Sequence, residues 1–341
     1  MCRAISHERS AVTLANPIPV AVIGVGEHGR HHARILKELA EADLVGVYDQ
    51  HCERAETVAG ELGCRAFQSL AEALASVRAV SVVIPTTEHA SVVKSAFNAG
   101  VDVLVEKPIS RTLDEAGELV ERAEQGGRIL QVGHLERFNP GVVAAKQVTR
   151  NPVFFEVHRL GVFSSRSLDV DVVFDLMIHD LDLVLWMVEA PVSDVRAVGL
   201  AVLSDKVDIA NARVEFENGA VANLTASRVS TEKVRKFRYF QPNGYISVDF
   251  SRRDALLISV DRGRETPEIG FKKLETVPAD PLQSELEAFL DSVRTRQPPL
   301  VDGREGKAAL ALAERVMNCI EEHAEHVRMH LGRALGQPGE S

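Results

Sequence analysis

Short apolar runs alternate with amphipathic segments over the first third of the chain. Gly, Pro or polar residues bound each run, a pattern typical of strands buried on both faces of a parallel sheet. The runs cover 20–23, 44–48, 80–84, 103–105 and 129–132. Helical periodicity lies between them, over 28–39, 54–62, 89–99 and 113–124. This alternation predicts an α/β domain with a doubly wound parallel sheet.

The pattern changes after about residue 137. A helix is expected over 140–148, then a strand over 153–160, and a further helix begins near Asp175. Alternating runs flank two turns with the hairpin signal Asn-Gly. These runs are 212–217 and 220–227, then 237–240 and 245–250. Two closing helices follow, the first with apolar positions 282, 286, 289, 290 and 293, the second from about 303 into the 320s.

The second half therefore predicts an α+β domain whose largely antiparallel sheet is covered by helices on one face only. We expect a disordered leader over 1–16, a Rossmann domain over 17–136, the α+β domain over 137–330 and a tail over 331–341. Strand positions 214–216 and 222–225 carry apolar residues. An uncovered apolar sheet face usually pairs with a second copy, so we expect a homodimer or a homotetramer.

Composition restricts the class of protein. The 341 residues carry a formal net charge of −10, which argues against non-specific nucleic-acid binding. The four cysteines form no CxxC pair, so reduced thiols in a cytoplasmic protein are favoured over disulfides or zinc. No segment is typical of a signal peptide or a membrane span, and no spacing suggests a metal site.

A dinucleotide motif follows the first predicted strand. Gly24, Gly26 and Gly29 form GxGxxG at the start of the first helix, and Asp49 ends the second strand. The glycines allow a tight turn and a close approach of the backbone to a pyrophosphate. An acidic residue there accepts hydrogen bonds from the adenosine ribose and repels a 2′-phosphate, so NAD is favoured over NADP. Arg54 lies near enough in sequence to leave some use of NADP open.

Candidate catalytic residues lie in two segments. Lys107 follows the strand 103–105, at a carboxyl end where ligands collect in such sheets, although a solvated lysine beside a turn proline fits equally. On a helix, Asp175 and His179 are at positions i and i+4, so the carboxylate can orient the imidazole. The alternative is an N-cap and a solvated histidine.

Five motifs together resemble the glucose–fructose oxidoreductase, inositol dehydrogenase and rhizopine catabolism (Gfo/Idh/MocA) family. They are GVGEHGRHHA, VIPTTEHA, VEKPIS, VGHLERFNP and DLMIHD, in the family's order. The resemblance implies catalytic roles for Lys107, Asp175 and His179. The set that it implies for the cofactor is Gly24, Gly26, Glu27, His28, Gly29, Asp49, Thr86, His89, Glu106, Lys107 and His134.

Within this family, VGHLERFNP and RSLDVDVVFDLMIHDLDL are similar to bacterial enzymes that oxidise carbon 3 of UDP-N-acetylglucosamine. That branch implies a pyridoxal-phosphate aminotransferase downstream and a 2,3-diamino sugar for lipid A. Arg137 and Asn139 are then candidates to line the sugar pocket, although Asn139-Pro140 is also a good helix start. Arg159 and Arg166 are candidates for the diphosphate, or for salt bridges.

The expected reaction is removal of a hydride from the carbinol carbon to nicotinamide while a base takes the hydroxyl proton. His179 oriented by Asp175 is one candidate base and neutral Lys107 is the other; a charged Lys107 would instead stabilise the alkoxide. Two other functions stay open. One is oxidation of a free sugar or polyol such as an inositol, and the other is regulatory NAD binding without turnover.

Overall fold

The computed structural model of the chain describes residues 16–163, 170–242, 244–261 and 268–335. The predicted leader, apart from Asn16, lies outside this part of the chain. Among the described residues, none of the helices combines the length and apolar character needed to cross a membrane. Cys52, Cys64 and Cys319 are free thiols.

The N-terminal sheet has six strands. They are β1 (Ile18–Ile23), β2 (Ala42–Tyr48), β3 (Arg65–Ala66), β4 (Ala79–Val82), β5 (Asp102–Glu106) and β6 (Leu130–Gly133). Their order is β3-β2-β1-β4-β5-β6, and β1 pairs in parallel with both β2 and β4. The strand order therefore reverses beside β1, which is where doubly wound sheets bind ligands. The predicted Rossmann sheet is confirmed.

Helices connect these strands as the periodicity indicated. They are α1 (Glu27–Glu38), α2 (Cys52–Leu62), α3 (Leu70–Ala75), α4 (Thr86–Asn98) and α5 (Leu113–Gly126). The short helix α3 and the two-residue strand β3 were not predicted. Both are too short to show a hydrophobic period in the sequence.

The C-terminal sheet has eight strands. They are β7 (Phe154–Val162), β8 (Val192–Leu200), β9 (Ile209–Phe216), β10 (Val221–Ser230), β11 (Val234–Gln241), β12 (Gly244–Asp249), β13 (Asp254–Asp261) and β14 (Glu268–Lys273). Their order is β14-β13-β12-β11-β7-β10-β9-β8. Only the β7–β10 pair is parallel, so the predicted α+β class with a largely antiparallel sheet is confirmed.

Helices α6 (Pro140–Val148), α7 (Ile178–Val188), α8 (Pro281–Thr295) and α9 (Gly303–Leu335) complete the described chain. A 3₁₀ turn over Leu135–Phe138 precedes α6, and a π-helical turn over Val173–Met177 runs into α7. Helices α6 and α8 lie where the sequence predicted them, whereas α7 begins at Ile178 and not near Asp175. Helix α9 is longer than predicted, because it continues to Leu335, beyond the expected domain end at 330.

The chain divides into two compact units, and each is discontinuous in sequence. One comprises Met1–Glu106, Glu121–Gln131 and Leu286–Leu300, and the other comprises Lys107–Val120, Val132–Glu285 and Val301–Ser341. The predicted division had a single boundary at 136/137. Within the first unit, Arg296 of the segment Leu286–Leu300 forms an ion pair with Asp102 of β5.

The apolar residues of β9 and β10 lie in the core and not on an uncovered face. Val214, Phe216, Ala222 and Leu224 are at most 3% exposed and belong to the cluster formed with α7 and α9. The opposite face of these two strands is polar: Arg213 pairs with Glu215, and Asn211 donates to Thr225. The sequence prediction that the apolar residues of 214–216 and 222–225 lie on an uncovered sheet face was therefore wrong.

Apolar side chains do cross that opposite face further along the sheet. Register pairs Val221 with Phe154, Phe154 with Phe240, Phe240 with Tyr245, Tyr245 with Ile258, and Ile258 with Phe271. Paired residues of neighbouring strands point to the same side, so these residues form one row across six strands.

Candidate active site

Three glycines shape the turn between β1 and α1. Gly24 has φ +87°, and a Cβ there would collide with the carbonyl of Val83. A Cβ on Gly29 would collide with the carbonyl of Gly24. Gly26 differs, because its Cβ would meet no atom within 4 Å. The outer glycines are needed for packing, and Gly26 keeps space open at the helix N-terminus.

A cleft of about 780 Å³ lies at the carboxyl ends of β1, β2, β4 and β5. The residues that line it include Gly24, Gly26, Glu27, His28, Gly29, Asp49 and Glu106. These seven belong to the set expected to bind the cofactor. The open space at Gly26 and the N–H groups of the first turn of α1 fit a pyrophosphate, so the cleft fits a dinucleotide.

Asp49 is 5% exposed at the end of β2 and is held by the backbone. Its Oδ2 accepts a hydrogen bond from the N–H of Val25 and its Oδ1 accepts one from that of His51, each at 2.9 Å. The guanidinium of Arg54 lies 3.2 Å from Oδ2. The carboxylate is therefore fixed in the cleft, with a half-exposed cation beside it.

Glu106 connects the cleft with α1. Its Oε1 lies 3.2 Å from Nε2 of His28 and 3.3 Å from Nε2 of His32, whose Nδ1 is 2.9 Å from Oγ of Ser81. Burial would raise the pKa of this carboxyl, but the hydrogen bonds from both histidines hold it well below its usual range. Glu106 is therefore an anion at neutral pH.

Among the described residues, His28, His32 and Glu106 are also the one group of three whose ligand atoms lie close enough to share an ion, within 4.8 Å of one another. The absence of a metal was predicted from the sequence, and it stays a prediction.

Four residues of the expected cofactor set are not among those that line the cleft: Thr86, His89, Lys107 and His134. His89 is 1% exposed, and its Nε2 is 3.0 Å from the carbonyl oxygen of Ile84, so it stabilises the turn before α4. Thr86 begins α4 outside the group of residues that line the cleft. The roles of Thr86 and His89 at the cofactor stay predictions.

Lys107 and Asp175 meet within the second unit. Nζ of Lys107 donates a 2.7 Å hydrogen bond to the backbone carbonyl of Asp175 and lies 3.6 Å from its Oδ1. Asp175 lies in the π-helical turn, and His179 lies in the first turn of α7. The predicted continuous α-helix is therefore corrected: a π turn, a feature frequent at functional sites, replaces its first part.

His134 and His179 lie near each other. Their ring centroids are 6.2 Å apart at an interplanar angle of 85°, and His134 is 1% exposed. Nδ1 of His134 is 3.9 Å from Oδ2 of Asp182. The second unit thus brings the candidate base next to a second imidazole and a buried carboxylate.

Arg137 and Arg159 are ion-paired inside the protein. Arg137 is 2% exposed, forms two hydrogen bonds with Asp182 and contacts Glu305. For Arg159, burial would lower the pKa, but Asp180 and Glu136 raise it well above the ordinary value. Carboxylates already occupy both guanidinium groups. Their predicted contacts with sugar and diphosphate are therefore withdrawn.

Asn139 caps a helix. Its Oδ1 accepts a hydrogen bond from the N–H of Gly141 at the start of α6, which is the alternative that the sequence left open. The prediction that it lines the sugar pocket is withdrawn as well. Arg166 lies outside the described residues, so its predicted role stays a prediction.

Sequence reasoning missed the carboxylates that bind these arginines. Asp180 and Asp182 lie in the same DLMIHDLDL run that yielded Asp175 and His179, and both are 1% exposed. Their position in an otherwise apolar run was the available signal, because such a run is expected to be buried and buried carboxylates need cationic partners.

Comparison with known proteins agrees with this architecture. Residues 18–134 match the model described as the oxidoreductase family with an NAD-binding Rossmann fold, and residues 149–246 match the GFO/IDH/MocA C-terminal domain. The UDP-N-acetylglucosamine 3-dehydrogenase of Acidithiobacillus ferrooxidans is 42% identical over 305 residues, covering 88% of this chain and 96% of that protein. This chain belongs to the Gfo/Idh/MocA family.

Other relatives extend the comparison. A solved structure of the A. ferrooxidans dehydrogenase superposes with a TM-score of 0.84 at 40% identity, covering 90% of this chain and 98% of that one. The myo-inositol 2-dehydrogenase of Thermotoga maritima is 26% identical over 322 residues, covering 89% of this chain and 96% of that protein. The chain is thus an NAD-binding oxidoreductase, as the sequence predicted.

Proposed function

We propose that the chain oxidises the 3-hydroxyl of UDP-N-acetylglucosamine to the 3-keto sugar nucleotide with NAD. The observation that carries this proposal is the contact between Lys107 and Asp175. The 42% identity to a dehydrogenase of that substrate, over most of both chains, supports the choice of substrate.

The cofactor supplies the acceptor for the hydride when it is bound. Gly24, Gly26, Gly29 and Asp49 hold it in the cleft of the first unit. Fixed N–H donors of the α1 N-terminus favour its pyrophosphate, and the Asp49 carboxylate accepts from a ribose hydroxyl.

Lys107 stabilises the oxygen that becomes negative during the reaction. Nζ of Lys107 faces two hydrogen-bond acceptors of Asp175, the backbone carbonyl and the carboxylate. An ammonium group offers hydrogen-bond donors to both. A positive charge beside a developing alkoxide lowers the barrier to hydride departure. We assign this role to Lys107 and the removal of the hydroxyl proton to His179.

The chemistry of the product indicates the class of the next reaction. A ketone at carbon 3 is a substrate for a pyridoxal-phosphate aminotransferase, which would yield the 2,3-diamino sugar of lipid A. We place the chain in the cytoplasm, where its nucleotide-sugar substrate would be found.

A panel of substrates tests this proposal. The purified protein is mixed with NAD and with UDP-N-acetylglucosamine, free N-acetylglucosamine or myo-inositol, and NADH absorbance is followed. We expect NADH from the nucleotide sugar and little from the others. Oxidation of myo-inositol alone would favour the polyol function. Binding of NAD without any turnover would favour a regulatory protein.

We also propose a homodimer or homotetramer that pairs through the open sheet face. The aromatic row including Phe154, Phe240 and Tyr245 supports this surface, since its side chains are only half-buried. Light scattering at micromolar concentration should give a dimer or tetramer. Phe240→Glu should shift the protein to monomer, while Lys37→Glu, at an exposed position on α1, should not. A monomeric wild-type protein would contradict the proposal.

A further inference from the structure

Two arginines lie directly opposite each other on neighbouring strands of the C-terminal sheet. Register pairs Arg235 of β11 with Arg159 of β7. Phe237 and Tyr239, at alternate positions of β11, are 0% exposed in the core under the helices. Because alternate residues of a strand share a face, Arg235 points to the same helix-covered side as these two.

The two arginines differ in their partners. Arg159 forms two hydrogen bonds with Asp180 and one with Glu136, and its guanidinium lies 4.8 Å from the ring centroid of Phe250. Within the described part of the chain, the guanidinium of Arg235 makes no hydrogen bond and no ion pair. Its side chain is nevertheless half-buried.

The surroundings of Arg235 leave its charge poorly compensated. Burial lowers its pKa, and the positive charge of Arg159 lowers it further, although Glu136, Asp180 and Asp175 act in the opposite direction. Like charges opposite each other on a sheet are destabilising. An incoming anion would relieve this repulsion, and water is partly excluded from the position.

The position is also close to the candidate chemistry. Arg159, directly opposite Arg235, pairs with Asp180 at 2.7 Å, and Asp180 lies in α7 just after the turn whose Asp175 contacts Lys107. A substrate whose carbinol lies at Lys107 would therefore extend its other groups into the neighbourhood of Arg235. All of these residues belong to one compact unit.

We propose that Arg235 binds an anionic oxygen group of the substrate, which is the diphosphate if the proposed function is right. A guanidinium fits a phosphate through two parallel N–H donors, a geometry that lysine cannot reproduce. Arg235 would thus make the enzyme prefer a nucleotide sugar over the free sugar. This inference rests on the proposed function for the identity of the anion.

The test compares Arg235→Gln with Arg238→Gln. Arg238 lies on the opposite face of β11, where it pairs with Glu156 at 3.1 Å. Steady-state kinetics with UDP-N-acetylglucosamine and calorimetric titration with UDP are the readouts. A lost hydrogen bond to a charged group predicts a rise of about tenfold or more in the Kd of UDP and in KM for Arg235→Gln. Its kcat and its Kd for NAD should change little.

Arg238→Gln should behave as the wild type in all four measurements. Arg235→Lys keeps the charge and should recover part of the affinity, and it serves as the test if Arg235→Gln does not fold. Unchanged UDP affinity and unchanged KM in a folded Arg235→Gln protein would overturn the inference.

Further measurements distinguish a failure of this inference from a failure of the proposed function. If the wild type yields no NADH with UDP-N-acetylglucosamine, the proposed function fails. Titration with UDP, with inorganic diphosphate and with glucuronate then decides the role of Arg235. Binding of glucuronate alone, weakened in Arg235→Gln, would identify a sugar carboxylate as the anion. Binding of none of the three by the wild type would overturn the inference.

Discussion

Nζ of Lys107 lies 2.7 Å from the backbone carbonyl oxygen of Asp175 and 3.6 Å from its carboxylate. The two residues come from segments far apart in sequence: the turn after β5 and the π-helical turn before α7. Their contact joins the two candidate catalytic motifs within one compact unit. We propose that both motifs act on one carbinol.

Removing the Lys107 ammonium should abolish most of the turnover. Groups that act on the reacting proton or charge typically contribute about a hundred- to ten-thousand-fold, so Lys107→Ala should lose kcat in that range. The affinity for NAD, measured by fluorescence quenching, should stay nearly the same. Lys272→Ala, an exposed lysine on β14, is the matched control. Wild-type kcat in Lys107→Ala would refute the catalytic assignment.

The two other catalytic candidates should differ in severity. His179→Ala deletes the proposed base and should lower kcat by about a hundredfold or more. Asp175→Asn keeps the backbone carbonyl that Lys107 contacts and disturbs only the carboxylate, so its kcat should fall less. Stopped-flow measurement of NADH formation compares them, with His158→Ala, an exposed histidine on β7, as the control. A smaller loss of kcat in His179→Ala than in Asp175→Asn would instead assign removal of the proton to Asp175.

Cofactor choice should depend on Asp49. The wild type should bind NAD much better than NADP, because a carboxylate opposes a 2′-phosphate. Asp49→Ala should weaken NAD binding by about tenfold or more through the lost hydrogen bonds. It should also reduce the difference between the affinities for NAD and NADP. Asp43→Ala, an exposed position on the same strand, should change neither affinity. Equal affinities of the wild type for NAD and NADP would exclude this role.

Tyr239 should make stability sensitive to alkaline pH. Burial raises its pKa to about 12, while its hydrogen bond with Thr149 acts in the opposite direction. A raised pKa in the folded state gives a contribution that is complete below the ordinary value of 10.0 and is lost as pH rises towards 12. Over that interval the unfolding free energy should fall by about 1.4 kcal/mol per pH unit from this residue.

Tyr239→Phe isolates that contribution. Urea unfolding at neutral pH should show a loss of about 1 kcal/mol for the missing hydrogen bond. Between pH 10 and 12 the variant should lose stability less steeply than the wild type does. Parallel curves for the two proteins over this interval would show that Tyr239 does not titrate in the core.

The sequence predicted most of the first unit because its signals are local. Buried parallel strands read as short apolar runs, and the motif at Gly24, Gly26 and Gly29 needs only the turn that contains it. Strands β8, β13 and β14 of the second sheet were not predicted. All six residues of β14 are exposed, so no alternation of buried and polar positions marks it.

The sequence predicted only those residues of the candidate site that lie in a recognisable motif. Lys107 and Asp175 were found because each lies in a short recognisable segment. The roles of Arg137 and Arg159 could not be predicted, since their carboxylate partners lie on other elements and only folding brings them together. Arg235 was missed for the same reason, because the register of β7 against β11 decides what lies beside it.

Deuterium transfer tests the central claim most directly. UDP-N-acetylglucosamine carrying deuterium on carbon 3 is incubated with the wild type and NAD, and the reduced cofactor is analysed by mass spectrometry. Oxidation at carbon 3 moves that hydrogen to the nicotinamide, so we expect NADH heavier by one deuterium. Substrate labelled on carbon 4 should give unlabelled NADH. Unlabelled NADH from the carbon 3 substrate, or no NADH at all, would contradict oxidation at this carbon.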